Sequence, residues 1–396
     1  MIIEKIRLIE SETGPGVQAD IRFETAKQDA HSIFAITDHS HRLTADPNGF
    51  LLGAFHPAWT AGERRIRIEG AVCPLLVGNL SIAASQVRRW FNDLPADPVI
   101  ECDHEYRPPA LRVGTFLSGG VDSLAMIRSL TSLHPVGHPD RPTAAIVADP
   151  HGVATLTREE TDARFTRSTG TARAICNDVG MDVIPIRSNF GELNRSMTFW
   201  MYRYHGSFFA SIGHFLSGEF RLLHLASSYP VTHLRAWGSS PLLDPYYSSQ
   251  HLRISHHGFE MSRLQKVRQL RDWPLALNRM YVCTSRTSNG RNCGACEKCV
   301  RTKLHLLVEG RLADAGAFDE NDVTEADIRA ISIKTDGARL FFEEAVPGLV
   351  RLGRHDLVGA VGTVVEDYKR RVPPGSQRRG RLLKRVVRRL KKSIGA

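Results

Sequence analysis

The 396-residue sequence contains no apolar run long enough to cross a bilayer, and its start, Met1-Ile-Ile-Glu-Lys5, lacks the basic residues and apolar core of a secretory leader. These absences predict a cytoplasmic protein. Acidic residues are missing from the end of the chain: none follows Asp367, whereas twelve of the 52 Lys and Arg lie between Lys369 and Lys392. Without those twelve, 40 basic residues face 42 acidic ones, so the net charge of +10 belongs to the tail. It gives no sign of a nucleic-acid-binding body. Cysteine is scarce, with seven in all and four of them clustered; an odd, clustered set argues against a disulfide framework and for a metal site in a reducing compartment. The length suffices for two or three domains with a sizeable core.

What is present begins with Arg112-Val-Gly-Thr-Phe-Leu-Ser-Gly-Gly-Val-Asp-Ser-Leu-Ala-Met126, which reads as an apolar strand, a Ser-Gly-Gly-Val-Asp-Ser turn and a helix. Gly119 and Gly120 have no Cβ, so the backbone can bend sharply and turn its N–H groups toward anionic oxygens. The hydroxyls of Ser118 and Ser123 add donors, and the helix that follows, from about Asp122, aims the positive end of its dipole at the same place. Ser118, Gly119, Gly120, Val121, Asp122 and Ser123 are therefore candidate ATP-phosphate ligands. No Lys closes the loop, so it is not the nucleotide loop that grips a transferred γ-phosphoryl group.

The pattern around this loop predicts an α/β fold with a doubly wound parallel sheet. Strands are expected at 111–117, 143–148, 182–186 and 221–226, alternating with helices at 123–133, 159–179 and 205–216. Ligands of such sheets sit beyond the carboxyl ends of the strands. Residues 1–94 read as a β-rich domain of unassigned role with strands at 2–9, 17–23 and 32–36 and a helix at 81–91; residues 95–110, rich in Pro and charge, read as a linker. The nucleotide domain is expected over 111–311, a helical region over 312–368 and a basic tail over 369–396. Within the tail, Arg381–Lys392 reads as a basic amphipathic helix suited to solubility, an anionic membrane or RNA.

Cys283, Cys293, Cys296 and Cys299 supply four thiolates, three of them at CxxCxxC spacing, enough to close a tetrahedral Zn²⁺ shell with no open position for water. The zinc is therefore expected to be structural, with Lys298 and Arg301 offsetting thiolate charge; an iron–sulfur cluster is the alternative. Cys73, Cys102 and Cys176 are scattered and read as ordinary semi-buried residues.

The Ser118–Ser123 turn resembles the PP-loop of the N-type ATP pyrophosphatases, which cleave ATP between the α- and β-phosphates. Together with the cysteine motif, residues 111–310 resemble the 7-cyano-7-deazaguanine synthase family. In that superfamily the end of the second strand contacts adenosine, which implicates Ala148 and Asp149. Trp237-Gly-Ser-Ser-Pro-Leu-Leu-Asp244-Pro-Tyr-Tyr247 resembles the family's site-lining Gly-Val-Asn-x-x-Asp-Tyr-Ser segment, through Gly238, Ser239 and Asp244. Met261-Ser-Arg-Leu-Gln-Lys-Val267 resembles a Leu-Thr-Lys-x-x-Ile-Val stretch and puts Arg263 where the family has Lys. The family's Arg-Asn pair is missing at the helix starting with His205, so His205 or the nearby Arg203 takes that place.

The resemblance implies an AMP- and pyrophosphate-forming ligase: ATP and Mg²⁺ activate a small-molecule carboxylate, and ammonia or an amine converts the acyl adenylate to an amide or nitrile. Asp122, Ser123 and Arg263 are the expected catalytic residues, and His205, Gly238, Ser239 and Asp244 the expected substrate contacts. The drift around His205 and Arg263 implies a substrate different from that of the housekeeping synthase, and a homodimer is compatible with the family. Two other readings compete: a PP-loop enzyme that amidates or thiolates RNA bases, and a non-catalytic interaction module.

Overall fold

The computed structural model describes residues 1–25, 30–91, 93–105, 109–152, 157–283 and 291–372. The chain divides into two compact units, Met1–Met280 and Tyr281–Ala396.

The first unit is built on one sheet of ten strands: β1 (Ile2–Ser11), β2 (Gly14–Arg22), β3 (His31–Thr37), β4 (Arg65–Val72), β5 (Val99–His104), β6 (Arg112–Phe116), β7 (Ala144–Pro150), β8 (Asp182–Ser188), β9 (Phe220–Ala226) and β10 (Arg253–His257). Their order is β10-β9-β6-β7-β8-β3-β2-β1-β4-β5. The five strands from β10 to β8 are mutually parallel. Their centres, such as Ala144 to Val147 and Leu222 to Leu225, are near-continuous apolar runs because helices cover both faces. Chain direction then reverses at β3, which pairs antiparallel with β8 through Ala35↔Ser188 and Thr37↔Ile186.

Residues 1–94 therefore do not form a sheet of their own; β1 to β4 continue the sheet that carries the Ser-Gly-Gly loop. The segment 95–110, expected as a linker, contains β5, which pairs with β4 through Ile66↔Ile100. Proline at both ends of that segment masked a short strand between them. A buried helix, Pro47–Ala61, also escaped sequence reasoning because it is apolar on all sides and so shows no amphipathic period. Asp46 caps it, Pro47 opens it, and Gly62 in the left-handed region closes it.

This helix packs on the helix His205–His214. Ser211 Oγ donates to Gly49 O at 2.7 Å and Tyr204 Oη to Gly53 O at 2.6 Å, bonds that bring side chains against the helix backbone. Gly49 and Gly53 make the approach possible: a Cβ at these positions would lie 2.4 Å from Phe215 and 2.2 Å from Phe190.

Crossover direction reverses beside β6. The helix Val121–Leu133 covers one face, where its Ser129 Oγ meets His257 Nε2 of β10 at 3.2 Å. The helix His205–His214 covers the other, where Gly213 packs toward Leu223 and Ile254. Positions 254 and 257 of one strand face opposite sides. The crevice between the carboxyl ends of β6 and β9 is consequently a topological switch point.

In the second unit, the helix Glu297–Val308 is followed, after turns over 311–324, by Glu325–Arg329, Asp336–Glu343, Val346–Arg351 and His355–Arg371, so the region expected to be helical carries four helices from residue 325 onward. Leu304, Leu306, Ile328, Phe342, Leu349, Leu357 and Val361 form its buried apolar interior. Lys369 to Arg371 end the last helix, and the rest of the expected basic tail, 373–396, lies outside the described residues.

Gly53→Ala is expected to destabilise the fold by about 1–3 kcal/mol through overpacking, outweighing the ~0.5–1 kcal/mol that alanine gains in a helix. Gly78→Ala, in the helix Pro74–Trp90 with nothing within 4 Å of the new methyl, should show only the gain. Urea midpoints of the two variants test this contrast.

Candidate functional site

β6 ends at Phe116, and Leu117 N–H still donates to Ile146 O at 2.9 Å before the chain turns. Gly119 has φ +77°, a conformation that side-chain-bearing residues rarely adopt. Gly120 caps the helix that starts at Val121. Ser123 Oγ holds the turn closed: it accepts from Ser118 N–H at 3.3 Å, lies 3.1 Å from Ser118 Oγ and donates to Gly120 O at 3.1 Å. The first-turn N–H groups of this helix have no carbonyl one turn back, so they are oriented for an anion in front of the loop. All six expected loop residues thus sit in one turn at the switch point.

Asp122 lies in the first helical turn and is bridged by two cations. Arg263 Nη1 and Lys266 Nζ each stand 3.2 Å from its carboxylate. Both belong to the helix Arg263–Leu270, which Ser262 and Gln265 cap reciprocally, and both are buried. Lys266 Nζ also donates to Ser227 O, just past β9. A helix from the far side of the switch point is thereby pinned to the loop by charge. Arg263, an expected catalytic residue, thus meets Asp122 at the loop; Lys266 was missed, although its i+3 spacing from Arg263 places the two on one helical face.

Asp149, next to last in β7, lies opposite Arg187 of β8. Burial pushes its carboxyl up to about 6, with Arg187 opposing the shift. Phe116 pairs with Ile146, so Ala148 and Asp149 lie two and three residues further toward the carboxyl end of β7, the end at which β6 gives way to the loop. The two residues expected to meet adenosine thus stand at the carboxyl end of the strand next to β6.

A second cluster forms on the other face at the same carboxyl edge. Asp244, fully buried, accepts from Ser239 Oγ at 2.6 Å, Ser240 N–H at 3.2 Å and His256 Nδ1 at 2.7 Å. His205 follows a π-helical turn, Trp200–Tyr204, and donates from Nδ1 to Trp200 O at 3.0 Å; burial lowers its pKa. Gly238 is needed here, since a Cβ would stand 2.7 Å from His205 Nδ1. A Cβ on Gly206 would stand 2.5 Å from Asp244 Oδ1. His205, Gly238, Ser239 and Asp244 are therefore brought together, with His256 as the member that sequence reasoning missed. Nothing marks His256 until β10 is known, and that strand was not expected. Arg203 lies elsewhere: it bonds Asp93 at 2.7 Å and stacks on Phe91.

In the second unit, Cys283 and Cys293 come from the loop region, while Cys296 and Cys299 flank the start of the helix Glu297–Val308. Sγ separations are 4.0 Å for Cys283–Cys296, 3.9 Å for Cys293–Cys299 and 3.4 Å for Cys296–Cys299. A tetrahedron of ~2.3 Å Zn–S bonds has edges of about 3.8 Å, so the four sulfurs leave room for one ion such as zinc and not for a multi-iron cluster. Asn292 braces the turn by accepting from Val282 and Cys283 N–H and donating to Ala317 O. Gly294 adopts φ +67° against Glu320. Hydrogen bonding with Cys296, then burial and the neighbouring sulfurs, push the Cys299 thiol far up, so a cation among them is what lets all four ionise. Arg301, expected to offset thiolate charge, pairs with Glu297 at 3.0 Å and covers Phe341.

The fold and clusters define an α/β protein with a Gly-Gly loop at its switch point and four cysteines placed so that they could hold a metal ion such as zinc. No protein-family model matches the chain, and neither a curated protein nor a solved structure matches it.

Two outcomes are expected. Cobalt(II) bound at the cysteines should show thiolate charge-transfer absorption, and Cys299→Ser should abolish it. A carboxyl with a raised folded pKa favours the fold while protonated and loses that contribution as pH rises through the folded value. Stability should therefore fall by up to about 3 kcal/mol between roughly pH 4 and 6 on account of Asp149. Asp149→Asn should flatten that segment of a denaturation-versus-pH curve.

Proposed function

We propose that this chain is an ATP-dependent ligase that adenylates a substrate carboxylate, releases pyrophosphate and passes the acyl group to ammonia or an amine. The observation that carries the reading is the Ser118–Ser123 turn at the switch point, with buried Arg263 and Lys266 held beside it by Asp122. Its resemblance to the PP-loop of the N-type ATP pyrophosphatases adds to it.

In this reading Ser118, Gly119, Gly120 and Ser123 donate to the departing diphosphate, and the helix dipole favours the charge that builds there. Arg263 and Lys266 supply positive charge on the same side. Mg²⁺, when bound, would screen phosphate charge, and Asp122 is the carboxylate available to it, on exchanging one of its two cationic partners. Ala148 and Asp149 flank the adenosine. The carboxylate substrate lies toward His205, Gly238, Ser239 and Asp244. Asp244 fixes His256 with Nδ1–H inward, so Nε2 is the atom that takes a proton from the attacking amine. A product amide, or a nitrile after a second activation, follows. Thiolation is disfavoured because four cysteines converge on one ion site, Cys73 and Cys176 are buried, and Cys102 lies on β5, at the edge of the sheet remote from the loop, with its thiol pushed up by burial.

Pyrophosphate release measured over a panel of small carboxylates with ATP, Mg²⁺ and ammonium tests the reading. Turnover with one member is expected, with a loss of at least ~100-fold in Asp122→Ala and Lys266→Ala and of ~10²–10⁴-fold in His256→Asn. Full turnover in Asp122→Ala would sink the assignment.

A further inference from the structure

Away from the loop, three residues distant in sequence converge inside the first unit: Asp46 at the start of the helix Pro47–Ala61, His214 at the end of the helix His205–His214, and His251 just before β10. Asp46 and His214 are fully buried and His251 is 3% exposed. One donor atom from each lies within 4.8 Å of the others.

Hydrogen bonds fix the available atoms. Asp46 Oδ1 accepts from Asn48 N–H at 2.9 Å and Asn48 Nδ2 at 2.7 Å, which locks the carboxylate. Its Oδ2 accepts from Ser217 Oγ at 2.8 Å and stands 3.3 Å from His251 Nε2. His214 Nε2 lies 3.0 Å from Tyr247 O; a carbonyl only accepts, so Nε2 carries the proton and Nδ1 has the lone pair. Nδ1 of His214 is buried with no hydrogen-bond partner, and so is Nδ1 of His251. The His214 nitrogen is the one that bears on the cluster: it is fully buried, carries a lone pair with no donor to meet it, and belongs to a residue with a donor atom within 4.8 Å of those of Asp46 and His251.

We propose that Asp46, His214 and His251 bind a second divalent transition-metal ion, zinc by the preference of its donors. A carboxylate oxygen and two imidazole nitrogens are a zinc donor set, and the 3.3 Å edge between Asp46 Oδ2 and His251 Nε2 equals the ~3.3 Å edge of a tetrahedron with 2.0–2.1 Å bonds. His214 contributes Nδ1, oriented by its bond to Tyr247 O as a ligand's outer nitrogen is. An oxygen from Ser217 or a water completes the shell. Because the donors are closed to solvent, the ion is structural. It clamps the start of the helix Pro47–Ala61 to the helix that carries His205.

The test uses the full chain purified without chelator. Plasma mass spectrometry should find two zinc ions per chain, falling to one in His251→Gln and, separately, to one in Cys299→Ser. Anomalous diffraction of wild-type crystals at the zinc edge should give one peak among the cysteines and one between Asp46, His214 and His251. That map decides even if a variant fails to fold. A single zinc per chain, with no anomalous peak beside Asp46 after zinc is added, overturns the proposal.

Discussion

A buried ammonium must keep its counter-charge and acceptors within reach, and Lys266 imposes that demand on the centre of the molecule. It is 1% exposed, and it holds Asp122 at the head of the loop helix and Ser227 O at the end of β9. Arg263, one turn away, binds the other oxygen of the same carboxylate. Losing Asp122 would leave two buried cations without this partner, which costs far more than the pair contributes when intact. The loop, the switch point and the helix Arg263–Leu270 are therefore set by one charge constraint. Within the Ser118–Ser123 turn, Ser118 is exposed while Val121 and Ser123 are buried and Asp122 is fixed by its cations.

The remaining strands act as a buttress for that edge. Because β3 joins β8 directly, the sheet runs without a break from β10 to β5, and the helix Pro47–Ala61 lies against the helix that positions His205. The two glycines that admit Phe190 and Phe215 make this contact a matter of packing, with little tolerance for one added methyl group. A segment that looks separable in sequence is thus part of the scaffold of the Asp244 cluster.

Local signals were legible in the sequence where the chemistry is local. The strand, turn and helix around Gly119, the alternation from β6 to β9, and the spacing of Cys293, Cys296 and Cys299 all express rules acting over a few residues. The unexpected elements depend on distant partners. Pro47–Ala61 is helical yet apolar all round, β5 sits between prolines, and β10 carries His256 in a run with three histidines or serines and no clear period. Lys266 lay within the quoted motif, but its burial against Asp122 arises from residues 144 positions apart.

The central claim is that the Ser118–Ser123 turn receives the phosphates of ATP. A crystal structure of the full chain with a non-cleavable α,β-methylene analogue of ATP and Mg²⁺ tests it most directly. The account predicts β- and γ-phosphate oxygens within hydrogen-bonding distance of Gly119 and Gly120 N–H and of Ser118 and Ser123 Oγ, with the adenine beside Ala148 and Asp149. Nucleotide bound at another site, or none bound at millimolar analogue, would contradict it.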